Sequence, residues 1–321
     1  MAKLYAYVGV PGFIEAVQPR LTEAGFSRVE DVASAHYVLT FCVSQSVLED
    51  VYFGTEGLVT TVAPGTVLVD LSAATPNFAR EVNAVACVND LIMVEAPLTV
   101  RSLVAADAFG RDNLLGPVAS ESEIAPEVRA LLDALFGEVV EVGAPGRAQL
   151  LRNTHTLPLA ANLASSIEAL ALDDAAARTV GALDADQIPL FSPVSTDPVV
   201  QAVRQKRFAG GYTVEMLLAE LSAALMAADD AEIILPQAEA TMHLLELLAV
   251  IGGADMAPAA LSLVYRDEAA GAEAGLDWTR AEQAYGHDHH HDDDDEDWDR
   301  FDDDDDWNDG ADYDGFDYSS N

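Results

Sequence analysis

Three sets of residues in this chain have the types and spacing that chemistry needs. The first is the turn Gly9-Val10-Pro11-Gly12, which follows the β-rich run Leu4–Val8 and opens a helix-patterned segment. A strand–turn–helix start of this kind offers backbone N–H groups to a pyrophosphate at the helix N-terminus. Read as G-x-G-x-x-G, however, it puts Gly9 first, Pro11 second and Ile14 third. Pro11 has no N–H to donate, and Ile14 brings a branched side chain to a point where helix and strand need close approach. The second is Ser72, at the carboxyl end of an apolar strand pattern, where open α/β sheets bind ligands. Its alternative is an N-cap for a helix starting near Asn77, with Asp70 and Thr75 helping. The third is His287, His289, His290 and His291, interleaved with carboxylates that could capture Zn²⁺ or Ni²⁺. Their spacing matches no structured metal site, so adventitious affinity is the expectation.

The elements that must position these residues alternate. After Gly25 and Phe26–Asp31 the chain reaches the apolar run His36–Val43 almost at once. A doubly wound nucleotide domain would place a second strand, a crossover helix and a third strand here, so roughly 25 residues, most of one β-α unit, are missing. Glu30 or Asp31 could serve as a ribose acid, with a surface loop as the preferred reading. A helix over Ser46–Gly57, a strand over Thr66–Leu71, a helix over Asn77–Val85 and a strand over Leu91–Val94 follow. A helix over Ala125–Leu135 and a strand over Glu138–Val142 complete a mostly parallel sheet with helices on both faces. From Arg147 the pattern is helical throughout: a long segment Gln149–Leu172 interrupted early by Pro158, then Thr213–Ala228, Pro236–Val250 and Ala257–Val264. Asp173-Asp174 and Asp229-Asp230 read as solvated carboxylates rather than a catalytic pair.

The 321 residues carry a formal net charge of −39. Residues 287–321 hold 17 acids and one base, which leaves the body strongly acidic as well. Such a surface repels nucleic acid and anionic membranes and attracts cations or basic proteins, and a halophilic proteome would also produce it. No apolar run is long enough to span a bilayer. No basic n-region and apolar h-region open the chain, so a cytoplasmic protein is expected. Cys42 and Cys87 both read as buried thiols in a reducing compartment. The end of the chain cannot bury enough apolar area to offset its ordering entropy and is expected to be disordered. Its aromatics Trp298, Phe301, Trp307, Tyr313, Phe316 and Tyr318 are spaced among acids, an alternation that suits docking onto a basic partner.

Asp70-Leu71-Ser72-Ala73-Ala74-Thr75-Pro76, with Glu95-Ala96-Pro97, Gly143-x-x-Gly146 and the segment from Arg207 to Leu221, resembles the β-hydroxyacid dehydrogenases, the 3-hydroxyisobutyrate dehydrogenase-like group. The match runs in motif order from about Leu4 to Tyr265. The resemblance implies a Rossmann-type nucleotide domain, a long helix into a helical dimerisation domain, and a hydride-transfer site in the cleft between them. It places the family's fingerprint glycines on Gly9, Pro11 and Ile14, and its substrate serine and following glycines on Thr99, Val100 and Arg101. Its catalytic lysine falls on Arg152, its asparagine on Thr156, and a later Lys-Asp pair on Ala219 and Glu220. An arginine holds its charge under any relevant condition and is a poor general acid or base. His155, on the same helix, could take over proton transfer, though a packed, hydrogen-bonded histidine is the preferred reading.

The expectation is therefore an α/β protein in three parts: a shortened Rossmann-like parallel-sheet domain (1–146, one β-α unit deleted near 26–36), an all-helical domain (147–283), and a disordered acidic tail (284–321). The leading reading is a homodimer with a degenerate dehydrogenase site and a tail that binds a basic partner. The alternative is an active NAD(P)H-dependent oxidoreductase on a small hydroxy acid or imine-like substrate. In that case Gly9, Gly12 and Ser72 hold NAD(P), while Thr99, Arg152 and His155 face the substrate. A third reading is binding or delivery of divalent metal by the tail histidines. The cofactor is thus none or NAD(P).

Overall fold

Apolar runs buried on both faces define the strands. The computed structural model describes residues 3–181 and 197–285. Strands β1 (Lys3–Gly9), β2 (Phe26–Arg28), β3 (Tyr37–Phe41), β4 (Val67–Asp70) and β5 (Ile92–Glu95) pair in parallel in the order β2-β1-β3-β4-β5. Across that sheet Ala6, Val38, Leu68 and Met93 stand in register on one face, and Tyr7, Leu39, Val69 and Val94 on the other. Each row enters its own apolar cluster, so alternate residues of one strand feed opposite layers. The first layer packs on α2 (Gln45–Phe53), α3 (Leu58–Thr61) and α4 (Pro76–Val88), and the second on α1 (Pro11–Glu23) and α5 (Pro126–Leu135).

The shortened crossover is present as expected. Between β2 and β3 lies only the 3-10 turn Val32–Ser34, and no strand pairs outside β2 among the described residues. Asp31 caps that turn by accepting from the Ala33 amide at 3.0 Å, which makes it a structural cap and gives Asp31 a role other than a ribose acid.

Two further strands, β6 (Thr99–Val100) and β7 (Leu114–Ala119), were not expected from the sequence. β7 runs antiparallel to β5 and β6 and parallel to β8 (Glu138–Gly143). Its Gly116 and Pro117 read as turn residues, yet the glycine is there because the Phe136 ring covers it: a Cβ would meet that ring at 2.5 Å.

The chain then enters α6 (Arg147–Val180), 34 residues or about 51 Å of helix, which continues through Pro158 rather than breaking there. α6 packs against β7, α8 (Val214–Asp230), α9 (Pro236–Leu248) and a 3-10 segment, Pro258–Tyr265, which replaces the α-helix expected over Ala257–Val264. Short helices α7 (Pro198–Arg204), α10 (Glu268–Glu273) and α11 (Thr279–Tyr285) complete the fold. The unit ends at Tyr285, beside the composition break near Gly286. Among the described residues no helix is long and apolar enough to cross a membrane. Cys42 is buried as expected, but Cys87 is exposed, because it lies on the outer side of α4 and not in a strand.

Candidate functional site

The parallel strands all end on one side of the sheet, and two of those ends are carboxylates. Asp70 closes β4, where it accepts from the Thr40 hydroxyl (2.9 Å) and the Ser72 amide (3.0 Å). Burial pushes its carboxyl up to about 6, against the pull of those hydrogen bonds and of Arg152. Glu95 closes β5 and reaches the N-terminus of α6, accepting from the amides of Gly146 (2.6 Å) and Gln149 (2.5 Å). Those donors suit a carboxylate at a helix N-terminus, but burial outweighs them and lifts Glu95 to about 7. Gln149 in turn accepts from Ala74 N–H at 3.1 Å and donates to the Ser72 carbonyl at 2.8 Å.

Ser72 is fully buried, its hydroxyl accepting from the Cys42 amide at 3.0 Å. The cap of α4 is Thr75, which accepts from Phe78 N–H at 3.1 Å. The loop after β4 is thereby stitched to β3 and α6 by its own polar groups.

At the turn after β1, Gly9 pairs with Phe41 across the sheet, with φ +139°, and a Cβ there would lie 2.0 Å from the Phe41 carbonyl oxygen. Close approach to β3 is therefore enough to require this glycine. The Val10 amide donates to that same carbonyl at 3.0 Å. Pro11 is the first residue of α1 and has no amide, so Gly12 and Phe13 supply the remaining first-turn N–H groups. Gly12 is exposed with nothing near its missing Cβ. Phe13 is buried and packs its ring 5.1 Å from Phe41 and 5.4 Å from Phe109, while Ile14 enters the core beside it.

Across the strand ends stands α6 with Arg152, which is fully buried. Its Nη1 lies 3.4 Å from Glu220 Oε2 on α8, and its Nη2 donates to Asn153 Oδ1 at 2.5 Å. Thr156 donates to the same Glu220 oxygen at 2.5 Å. The resemblance-derived positions Arg152, Thr156 and Glu220 thus do meet, although Thr156 and Glu220 are 64 residues apart in sequence. Burial pulls the Arg152 guanidinium down and Glu220 opposes it most. Arg152 Nε and Nη1, Asn153 Nδ2 and the Tyr212 hydroxyl are buried without a hydrogen-bond partner among the described residues.

Thr99 is buried and donates to the Pro97 carbonyl at 3.1 Å. His155 is half-buried with Nε2 2.9 Å from the Val100 carbonyl, the packed arrangement preferred from sequence. Between the strand ends and α8, bounded by Phe41, Leu71, Leu98, Met216, Ala219 and Glu220, the enclosed space is about 10 Å³.

Asp70, Glu95, Gln149 and Tyr212 were not singled out from sequence as members of this site. A signal existed for two of them, since each of two apolar strands ends in a carboxylate, Val-Leu-Val-Asp70 and Ile-Met-Val-Glu95. The tail histidines and aromatics lie outside the described residues. No group of three or more His, Cys, Asp or Glu is arranged to hold a metal among those that are described.

A parallel sheet with its ligand-side ends facing a long helix and a helical layer is a Rossmann-like arrangement. Residues 14–108 match the NAD binding domain of 6-phosphogluconate dehydrogenase, a match that begins beyond Gly9 and Gly12. In sequence the chain is similar to enzymes of the β-hydroxyacid dehydrogenase group. It is 27% identical over 149 residues to the NAD-dependent L-serine dehydrogenase of Pseudomonas aeruginosa, covering 46% of this chain and 49% of that one. It is 30% identical over 159 residues to the L-threonate dehydrogenase of Escherichia coli, covering 47% and 51%. These alignments span about half the length of the curated relatives. The fold is similar to that of Mycobacterium tuberculosis 3-hydroxyisobutyrate dehydrogenase solved with L-serine, with TM-score 0.62, 20% identity, 83% of this chain and 100% of that chain covered.

Proposed function

We propose that this chain keeps the β-hydroxyacid dehydrogenase fold but has turned the hydride-transfer site into packed structure. The observation that carries this reading is the buried Arg152–Glu220 pair, at the position where the resemblance puts a catalytic lysine. A lysine exchanges its proton when desolvated, whereas a guanidinium held against a carboxylate is a fixed charge. The residues present do not fit a dinucleotide. The Val10 amide is taken by Phe41, Pro11 has none, and the unit that would carry ribose recognition is absent. The enclosed pocket between Phe41, Leu98 and Glu220 holds about 10 Å³, one water molecule's worth of space, and the neighbouring groove of about 410 Å³ along Val43, Ser44, Ala73 and α8 carries Glu49, Glu215 and Glu246, which disfavour a pyrophosphate.

Titration of the full chain with NADH and NADPH, followed by calorimetry, is expected to give no saturable binding below the millimolar range. Micromolar binding of either cofactor overturns the reading. It would support instead an NAD(P)H-dependent reductase acting on a small hydroxy acid or imine-like substrate. The unpartnered donors of Arg152, Asn153 and Tyr212 favour that second reading, since they suit an anionic substrate group.

The acidic-aromatic tail belongs to the same proposal as the part that binds a basic protein. A pull-down comparing the full chain with one ending at Tyr285 is expected to retain basic proteins through the full chain alone. Metal retained by the full chain alone would favour the histidines as a metal carrier, and identical captured sets and metal contents would leave the tail a solubilising segment. Both forms are expected to sediment as dimers, because Leu157, Pro158, Ala161 and Ile234 line an apolar groove of about 290 Å³ on the helical face.

A further inference from the structure

A cavity of about 340 Å³ lies between the segment after α7 and the loop after β6, with Tyr212 as the residue it shares with the strand-end site. Lys206, Arg207, Gly210 and Gly211 form part of its lining, and Leu103, Val104 and Ala108 stand among the apolar residues. Not one carboxylate lines it, in a chain with 55 acidic and 16 basic residues. Asp107, the acid next to it in sequence, turns instead toward Gly110 and the charge of Arg20. By contrast, the groove beside α2 and α8 carries Glu49, Glu215 and Glu246, and the one along α6 mixes Asp174 and Asp267 with Arg178 and Arg266.

Backbone geometry fixes where Lys206 stands: like Asp90 after α4 and Glu232 after α8, it is a left-handed non-glycine residue that closes a helix. α7 ends in a paired C-terminal cap, with Lys206 N–H on the Val203 carbonyl (2.9 Å) and Arg207 N–H on the Ala202 carbonyl (3.0 Å). The residue at the first of these positions is left-handed and is usually glycine; here it is lysine at φ +52°. Arg207 anchors the opposite wall through Nη1 to the Val104 carbonyl at 2.7 Å, and its Nε is buried without a partner among the described residues. Gly210 (φ +82°) and Gly211 (φ +70°) leave the adjoining backbone bare of side chains. The carbonyl end of α7 would by itself favour nearby cations. It does not explain an Arg207 Nε turned inward without a partner among the described residues.

The geometry points to a binding site for a small organic or inorganic oxyanion, a carboxylate or phosphate group held by Lys206 and Arg207 with its apolar remainder against Leu103, Val104 and Ala108. The site lies beyond the reading of the strand-end cleft and stands whether or not a dinucleotide binds there.

The test is calorimetric titration of the full chain with inorganic phosphate and, separately, with butyrate, at ionic strength held constant with sodium chloride. Saturable binding of either probe at millimolar concentration or tighter is expected, with phosphate alone indicating phosphate or phosphoester ligands and butyrate alone indicating carboxylates. Lys206→Gly is expected to weaken that binding at least tenfold while raising the melting temperature, because it removes the cation and relieves the backbone together. Arg207→Lys keeps the charge but loses Nε, and is expected to weaken binding severalfold without Lys206 being touched. No saturable binding of either probe overturns the assignment. So does binding by Lys206→Gly and Arg207→Lys with the affinity of the unmodified chain.

Discussion

Replacing Glu220 by glutamine is expected to cost roughly 3–5 kcal/mol of folding free energy, although one atom changes and no volume is lost. Arg152 is fully buried and Glu220 is nearly so, and their closest approach is 3.4 Å. The substitution leaves a buried guanidinium without its ion-pair partner and with only Asp70, beyond ion-pair distance, to oppose its charge, while Arg152 Nε and Nη1 already lack hydrogen-bond partners among the described residues. It also weakens the acceptor that Thr156 uses. The paired change Arg152→Met with Glu220→Leu removes both charges and fills similar volume, so it is expected to recover most of that loss. Urea unfolding followed by circular dichroism measures both. A loss below about 1 kcal/mol for Glu220→Gln would mean that the pair is solvated, as in exposed ion pairs. The site would then be an open cleft and not packed structure.

Stability should also fall as pH rises, the reverse of the usual carboxylate behaviour. Asp70 is lifted to about 6 and Glu95 to about 7 by burial, against ordinary values of 3.8 and 4.5. The folded state therefore binds more protons than the unfolded chain between about pH 4 and pH 7, and the derivative of unfolding free energy with pH is negative there. The stabilisation is complete below the unfolded values and is lost as pH passes the folded ones. Each group accounts for about 3 kcal/mol at full effect. Asp70→Asn preserves an acceptor for Thr40 and for the Ser72 amide but carries no charge. It is expected to be near neutral at pH 4.5, stabilising at pH 8, and to flatten the pH profile between. Urea midpoints in 0.5 M salt isolate this from the repulsion of the acidic surface, which salt screens. A midpoint that climbs from pH 5 to pH 8 would refute the account.

What the sequence revealed followed from local pattern. The strands at residues 37–41, 67–70 and 92–95 are apolar runs with both faces buried, and the missing β-α unit was visible as a short distance between two strand patterns. β7 was missed because Gly116 and Pro117 are turn residues by local chemistry. Only the distant Phe136 ring explains the glycine. Cys87 was misplaced for a related reason: the apolar residues around it belong to a helix with one wet side, which a strand-like composition does not distinguish. Resemblance brought Arg152, Thr156 and Glu220 into one expected site, but not the ion pair they form, which depends on how α6 and α8 pack. The cavity at Lys206 gave no signal at all, since its cations are unremarkable until the surrounding acids are seen to be elsewhere.

The crossover between β2 and β3 bears on the chain's evolutionary freedom. Side chains such as Arg152 or Pro11 can be exchanged by substitution, but a strand and helix absent from the sheet margin cannot be supplied that way. With β3 following a single capped turn, restoring a ribose-reading edge demands an insertion into a connection already closed by Asp31 and bonded to β1 through His36 N–H and the Leu4 carbonyl at 2.9 Å. The short connection therefore acts as a lock: substitutions can tune what this scaffold does, but a wider sheet on that side needs new chain.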